Sequence, residues 1–250
     1  MRFANKVVMI TGGAQGIGAA AAHAFMKQGA AIVIADLDRT LGQTLADAMT
    51  AEGGTARAIA CDVADPASVE SCVSQASAEM GGIDILINCA ALHNFTWGQP
   101  TLKLGAERWR QLLDVNVVGI VNCVTAVRAS MAARGGGVIV NMSSINSFVN
   151  LSAYGVSKLA VRGLTTAMAA ELAPENIRVV GVAPGMIDTP LVMAELPEVH
   201  KNALINQLQL IKRQGTRADV VNAFLFLCSD EASFITGETL IVGGGYPLRT

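Results

Sequence analysis

The segment "LSAYGVSKLA", residues 151–160, carries Tyr154, one of two tyrosines in the chain, four residues ahead of Lys158. On a helix that spacing puts both side chains on one face, with their Cβ atoms roughly 5–6 Å apart. A free tyrosine titrates at about 10, too high for easy base chemistry at neutral pH. A neighbouring ammonium favours the phenolate, so Lys158 is expected to draw the Tyr154 pKa down toward the range where proton transfer is efficient. The Ser-rich run "NMSSINSFVNLSAY" leads into the pair. A strand ending in that run would bring Ser143 or Ser144 to the same edge, where a hydroxyl can hold a substrate oxygen.

A nucleotide site is suggested at the other end of the chain. "TGGAQGIG", residues 11–18, lies between an apolar run and a helical pattern, with Gly12, Gly16 and Gly18 in a G-x-x-x-G-x-G spacing. A turn without Cβ atoms lets the backbone approach a pyrophosphate, and the following helix presents free N–H groups. The run "AAIVIAD" ends in Asp36, eighteen residues beyond Gly18. A carboxylate there hydrogen-bonds a free ribose 2′-OH and repels a 2′-phosphate, which favours NAD over NADP although Arg39 lies near. Asp62 and Val63 of "CDV" and residues 88–91, "NCAA", fall at the C-terminal ends of two further strands.

The elements that must position these groups alternate along the chain. "KVVMIT", "AAIVIAD", "TARAIACDV", "IDILINCA", "GVIVNMS", "IRVVGVAP" and "ETLIVGGG" read as seven strands, apolar on both faces as in a parallel sheet covered on each side. Helices are expected at 17–28, 39–51, 66–80, 106–133, 152–172 and 217–229, with Asp65-Pro66 a good cap-then-proline start. The fold class is therefore α/β: one Rossmann-type, doubly wound domain over 1–250. Residues 186–214 are the one long irregular stretch and suggest a substrate lid.

Composition bounds the possibilities. The 250 residues are 52% hydrophobic and 15% charged, with net charge −2, and the basic residues are scattered. Nothing suggests a nucleic-acid or anionic-membrane surface. The richest apolar run, "LLDVNVVGIVNCVTAV", is broken by Asp114, Asn116 and Asn122, so no membrane span is expected. The N-terminus enters a strand pattern at once, leaving no room for a signal peptide. Five dispersed cysteines without CxxC and three histidines favour reduced thiols in a cytoplasmic protein and no metal site.

Taken in order, "TGGAQGIG", "CDV", "NCAA", "VNVVG", "NMSS", "YGVSK", "VAPGMIDTP" and "ASFITGETLIVGGG" resemble the short-chain dehydrogenase/reductase family from Lys6 to Gly245. The resemblance implies a Rossmann-type sheet of seven parallel strands, reversible hydride transfer between NAD(H) and an alcohol/carbonyl pair, and commonly a homotetramer pairing the two long helices and the last strand. It implies Tyr154 as general acid/base, Ser144 as donor to the substrate oxygen, Lys158 as the cation that tunes the phenol and binds the nicotinamide ribose, and Asn116 as a proton relay through water to Lys158. The implied cofactor-binding set is Gly12, Gln15, Gly16, Ile17, Gly18, Asp36, Leu37, Asp62, Val63, Asn88, Ala90, Tyr154, Lys158, Pro184, Gly185, Ile187 and Thr189, the last two bonding the carboxamide.

Three departures from the family pattern stand out. Asn88-Cys89-Ala90-Ala91 replaces N-N-A-G, and Val242-Gly243-Gly244-Gly245 replaces V-D-G-G, removing a carboxylate. Ser144 precedes Tyr154 by only ten residues, a shortened loop that leaves Ser143, Ser144 and Ser147 all open as the catalytic serine. The substrate pocket is expected from His93, Trp97, Ser144, Asn146, Met186 and Met193, within 93–97, the loop 145–152 and a lid that also holds Leu191 and Val192. Its apolar character points to a hydrophobic, alicyclic or aromatic secondary alcohol or ketone. A cis-dihydrodiol dehydrogenase and a 3-ketoacyl-carrier-protein reductase are the alternatives. A nucleotide-sensing scaffold without turnover would be expected to lose Tyr154, Lys158 or Asn116, and the chain retains all three.

Overall fold

The computed structural model describes residues 1–93, 96–149 and 151–248. Seven parallel strands form one sheet: β1 (Val7–Thr11), β2 (Ala31–Asp36), β3 (Ala56–Ala60), β4 (Ile85–Asn88), β5 (Gly137–Met142), β6 (Ile177–Pro184) and β7 (Thr239–Val242), in the order β3-β2-β1-β4-β5-β6-β7. The helices are α1 (Gly16–Lys27), α2 (Arg39–Ala51), α3 (Pro66–Met80), α4 (Ala106–Leu113), α5 (Gly119–Ala133), α6 (Asn146–Val149), α7 (Ala153–Leu172), α8 (Pro190–Glu195), α9 (Glu198–Ala203) and α10 (Arg217–Leu227).

Strand alternation divides the core in two. Val8 and Ile10 of β1, with Ile32 and Ile34 of β2, pack against Ala21, Ala22 and Phe25 of α1 and Val220 and Phe224 of α10. Val7, Met9, Val33 and Ala35 point the opposite way, against α3 (Val69, Val73), α5 (Cys123, Val127) and α7 (Val161, Leu172). A strand buried on both faces has no polar side, which is why these segments read as continuous Val/Ile runs. The strand order reverses between β1 and β4, where the connections diverge to opposite faces and leave a crevice beyond the carboxyl ends.

Three local differences from the sequence reading have physical causes. The helix expected over 106–133 is interrupted by a π-helical turn at Asp114–Val118, which takes up an extra residue and turns Asn116 inward. Its combined span Ala106–Ala133 is long and apolar enough by length and composition to cross a membrane, because the Val and Ile residues outweigh Asp114, Asn116 and Asn122 in a running average. In the structure this span supplies Ile120, Cys123, Val124, Val127 and Met131 to the core. The stretch 186–214 is not irregular: Thr189 caps α8, Pro190 opens it, and α9 runs into a π-helical turn at Leu204–Leu208. The one-turn helix α6 also has no counterpart in the periodicity, being too short to show one.

The sheet's lower edge is tied by Asp84. Its carboxylate, in a residue 4% exposed, accepts from the Val7 N–H at 2.8 Å and meets Arg134 at 2.9 Å and Lys6 at 3.5 Å. Asp84→Ala leaves the buried Val7 N–H without an acceptor, an expected cost of about 1–3 kcal/mol. Asp84→Asn keeps an acceptor oxygen and should lose less. Urea denaturation of both variants at neutral pH checks the ranking.

Candidate active site

The crevice contains a cavity of about 740 Å³. At one end lies the turn between β1 and α1. Gln15 caps α1 with no side-chain hydrogen bond, and the first turn holds no acidic residue, so its backbone N–H groups face the cavity uncompensated. A Cβ on Gly18 would sit 2.2 Å from the Gly12 carbonyl oxygen, so only glycine lets α1 start this close to the turn. Asp36 ends β2; its carboxylate accepts from the Ala14 N–H at 2.9 Å and the Asp38 N–H at 3.1 Å while lining the cavity. These features fit the pyrophosphate and adenosine ribose of a dinucleotide.

At the other end stand Tyr154 and Lys158, one turn apart on α7, whose first turn is capped by the Ser152 hydroxyl. Lys158 is 1% exposed. Its Nζ donates to the Met142 carbonyl at 2.7 Å and lies 5.7 Å from the Tyr154 ring centre. Burial pushes the Tyr154 phenol up to about 12, with the Ser144 hydrogen bond pulling in the opposite direction. Burial likewise pushes Lys158 down to about 8, while the Cys89 side chain acts the other way. The expectation of a lowered tyrosine pKa is therefore corrected for the free protein. Burial disfavours the charged form of both groups, phenolate and ammonium alike. At neutral pH the phenol keeps its proton, poised as an acid.

The three serines take different places. Ser144 lines the cavity beside Tyr154, where its hydroxyl draws the phenol pKa down, and its Oγ accepts from the Asn146 N–H at 3.1 Å. Ser143 also borders the cavity, but its hydroxyl donates to the Lys158 carbonyl at 3.0 Å and its Oγ lies 3.2 Å from that of Ser147. Ser147 is fully buried and donates to the Ser144 carbonyl at 2.6 Å. Of the three, only Ser144 presents its hydroxyl to the phenol.

The cavity also gathers Gly12, Gln15, Gly16, Ile17, Gly18, Leu37, Asp62, Val63, Ala90, Pro184, Gly185, Ile187 and Thr189, and on the substrate side His93 and Asn146. Other expected residues lie elsewhere. The Asn116 side chain is fully buried and bonds the Leu92 N–H at 2.8 Å, the Leu92 carbonyl at 3.1 Å and Ser157 at 3.1 Å, so its contacts staple the strand-to-helix segment and do not reach Lys158. Asn88 is buried inside the sheet, donating to Asn141 at 2.9 Å, and does not line the cavity.

Trp97 is 8% exposed and packs with Leu104, Leu112 and Ala153, supporting the start of α7 through its carbonyl, which accepts from the Tyr154 N–H at 3.2 Å. Met186 is buried toward a second, smaller cavity, and Met193 meets Gln214 at 2.7 Å outside the main one. Asn94, Phe95 and Asn150, within the expected pocket segments, lie outside the described residues. The sequence reading missed Asp38, Cys61, Leu92, Val115, Met142 and Pro190, which line the cavity. Cys61 and Met142 stand at or just past strand ends, a signal that could have found them.

Comparison with known proteins matches this geometry. A family model described as enoyl-(acyl carrier protein) reductase matches residues 12–247. An uncharacterised oxidoreductase of Mycobacterium tuberculosis is 39% identical over 249 residues, covering 99% of this chain and 100% of that protein. Dehydrogenase/reductase SDR family member 4 of Rattus norvegicus is 38% identical, covering 98% of this chain and 88% of that protein. A 7α-hydroxysteroid dehydrogenase, solved with NADH and 7-oxoglycochenodeoxycholic acid, superposes with a TM-score of 0.92 at 32% identity, covering 98% of this chain and 95% of the other. A 3-oxoacyl-[acyl-carrier protein] reductase from Brucella melitensis superposes at 0.89 with 33% identity, covering 98% and 92%. With seven parallel strands in the same arrangement and a full-length match in sequence, the chain belongs to the short-chain dehydrogenase/reductase family of oxidoreductases.

Proposed function

We propose that this protein is an NAD(H)-dependent dehydrogenase/reductase that interconverts a hydrophobic secondary alcohol and its ketone. The observation that carries the reading is a Ser144–Tyr154–Lys158 constellation at one end of a cavity whose other end is a glycine-rich turn and Asp36. The family uses nicotinamide cofactors, and the Asp36 carboxylate at the ribose end of the cavity supports NAD over NADP.

In ketone reduction, Ser144 Oγ donates a hydrogen bond to the substrate oxygen and Tyr154 Oη passes its proton to that oxygen. A nicotinamide bound at the Tyr154–Lys158 end, with its pyrophosphate at the turn, would supply the hydride to the carbonyl carbon. In oxidation the Tyr154 phenolate takes the alcohol proton back. Lys158 supports that anion and, by its place on α7, would bind the nicotinamide ribose hydroxyls. Asn116 would act by holding Leu92 and Ser157, and any relay through water would run from its neighbourhood, not from its side chain to Lys158 directly.

Leu92, Val115, Pro190, Leu191 and Val192 line the substrate side and favour an alicyclic or aromatic substrate. The relationship to a hydroxysteroid dehydrogenase is consistent with that class. The similarity to a 3-oxoacyl-[acyl-carrier protein] reductase supports a second reading. Lys158 is the sole lysine or arginine lining the cavity among the described residues, which weighs against an acidic carrier-protein docking at its mouth. We take residues 1–250 as one catalytic domain with a lid over 186–214. Its free thiols suit a cytoplasmic location. Exposed Val121 of α5, Val156 and Leu159 of α7 and Leu240 of β7 support a homotetramer, and the scattered basic residues favour a small-molecule substrate over a nucleic acid.

Reduction of cyclohexanone, acetophenone and decalone with NADH and with NADPH, followed by loss of reduced-nicotinamide absorbance, tests the reading. Tyr154→Phe is expected to lower kcat by about 10²–10⁴-fold with NADH binding unchanged, and residual turnover near the parent's would refute the acid/base role. Asp36→Asn keeps an acceptor for the Ala14 N–H but removes the charge. The NAD-to-NADP ratio of kcat/KM should fall about tenfold or more, the loss of one charge-assisted hydrogen bond.

Lys158 supplies a pH-dependent check. It loses its proton near pH 8 in the folded chain, against an ordinary value of 10.5, so the unfolded chain binds more protons between those values. Stability from this group therefore rises with pH across that window. Thermal melts should show the Tm of Lys158→Met, relative to the parent, flat below about pH 8 and falling from there to 10.5.

A further inference from the structure

We infer that Arg162 is a positioning residue that sets the Ser144–Tyr154 geometry by clamping α6, an inference that rests on the proposed reading of the site. α6 is four residues long, and a helix of that length has no independent stability, so contacts with the rest of the molecule must hold it. Arg162 supplies two of them. Its guanidinium donates to the Ser147 carbonyl at 3.1 Å, and its central carbon lies 3.8 Å from the centre of the Phe148 ring, a cation–π contact. A lysine could not reproduce both, since the flat guanidinium fork stacks and donates at once.

The clamp leads directly to the reacting groups. The Ser147 hydroxyl donates to the Ser144 carbonyl at 2.6 Å, and the Ser143 hydroxyl, packed 3.2 Å from it, donates to the Lys158 carbonyl at 3.0 Å. Tyr154, Lys158 and Arg162 follow one another at four-residue intervals, so they share one face of α7. One rigid helix thus carries the phenol, the ammonium and the clamp that places the serine opposite the phenol. The shortened loop makes this necessary: with ten residues between Ser144 and Tyr154, α6 is the connection's only helix among the described residues.

Arg162→Met keeps the side-chain stem and removes the fork and the charge. Misplacing a reacting group by about 1 Å can cost up to about 10²-fold. We expect kcat on the fastest ketone of the panel to fall at least tenfold, with the NADH dissociation constant unchanged. The apparent acid/base pKa in the kcat profile should move upward, because the Ser144 bond that lowers the Tyr154 pKa is loosened. Amide hydrogen exchange over 145–149, which needs no substrate, should accelerate at least tenfold. Ser147→Ala breaks the same path from the other side and should shift the pH profile the same way, which covers the case of an Arg162 variant that folds poorly. A parent-like kcat and pH profile in both variants, or unchanged exchange in Arg162→Met, would overturn the clamp. Should Tyr154→Phe stay active, the reading of the site itself fails; an inactive Tyr154→Phe beside a parent-like Arg162→Met removes only the clamp.

Discussion

Lys158 is a long cationic side chain with almost no contact with water, held through one hydrogen bond to the Met142 carbonyl. Burying an ammonium is costly unless polar partners compensate, and the cost is felt here as a depressed pKa. The same desolvation acts in reverse on Tyr154, where the neutral phenol is favoured. Both groups lean toward their uncharged forms. A crevice arranged in this way stores a proton on the phenol, while the amine, lowered to about 8, still carries its charge at neutral pH. Most of the remaining architecture serves to make that dry, shaped crevice.

The crevice follows from the sheet order. Because β1 and β4 are neighbours while their outgoing connections go to opposite faces, the carboxyl ends of the central strands open on a gap. The close start of α1 at Gly18 closes one side of it, and the β5-to-α7 segment closes the other. Beneath, a buried polar line runs from Asn88 through Asn141 to Thr165 and the Val161 carbonyl, tying β4, β5 and α7 together. The Asn88 side-chain oxygen is the one buried atom of this line left without a partner among the described residues. Asn88 thus serves the frame that supports the cavity.

The departures from the family pattern become intelligible as packing. Gly243 stands where the family pattern has an aspartate, and a Cβ there would lie 2.4 Å from the Tyr246 carbonyl and 3.0 Å from the Ile145 side chain. The turn after β7 folds back on its own backbone at Tyr246, leaving no room for a side chain at Gly243, and touches Ile145 of the short connection. The three serines of the connection are similarly interlocked, with two spent as buried struts and one presented to the cavity.

Much was legible from one dimension. Two-faced Val/Ile runs specified buried parallel strands, since period and composition are local properties. The four-residue Tyr154–Lys158 spacing and the glycine-rich turn likewise report their own geometry through the helix repeat and the absence of Cβ atoms. Which serine faces the phenol was not legible, because Ser143, Ser144 and Ser147 differ only in where a one-turn helix directs them. Nor was the failure of Trp97, Met186 and Met193 to reach the cavity, since an apolar side chain near a site packs wherever space exists. The direction of the Tyr154 pKa shift was misread for a related reason: the sequence shows the charge beside the phenol but not the water excluded from both. Chain-local chemistry was thus set by residue type and spacing, whereas burial, which depends on every neighbouring element at once, was decided only by the tertiary structure.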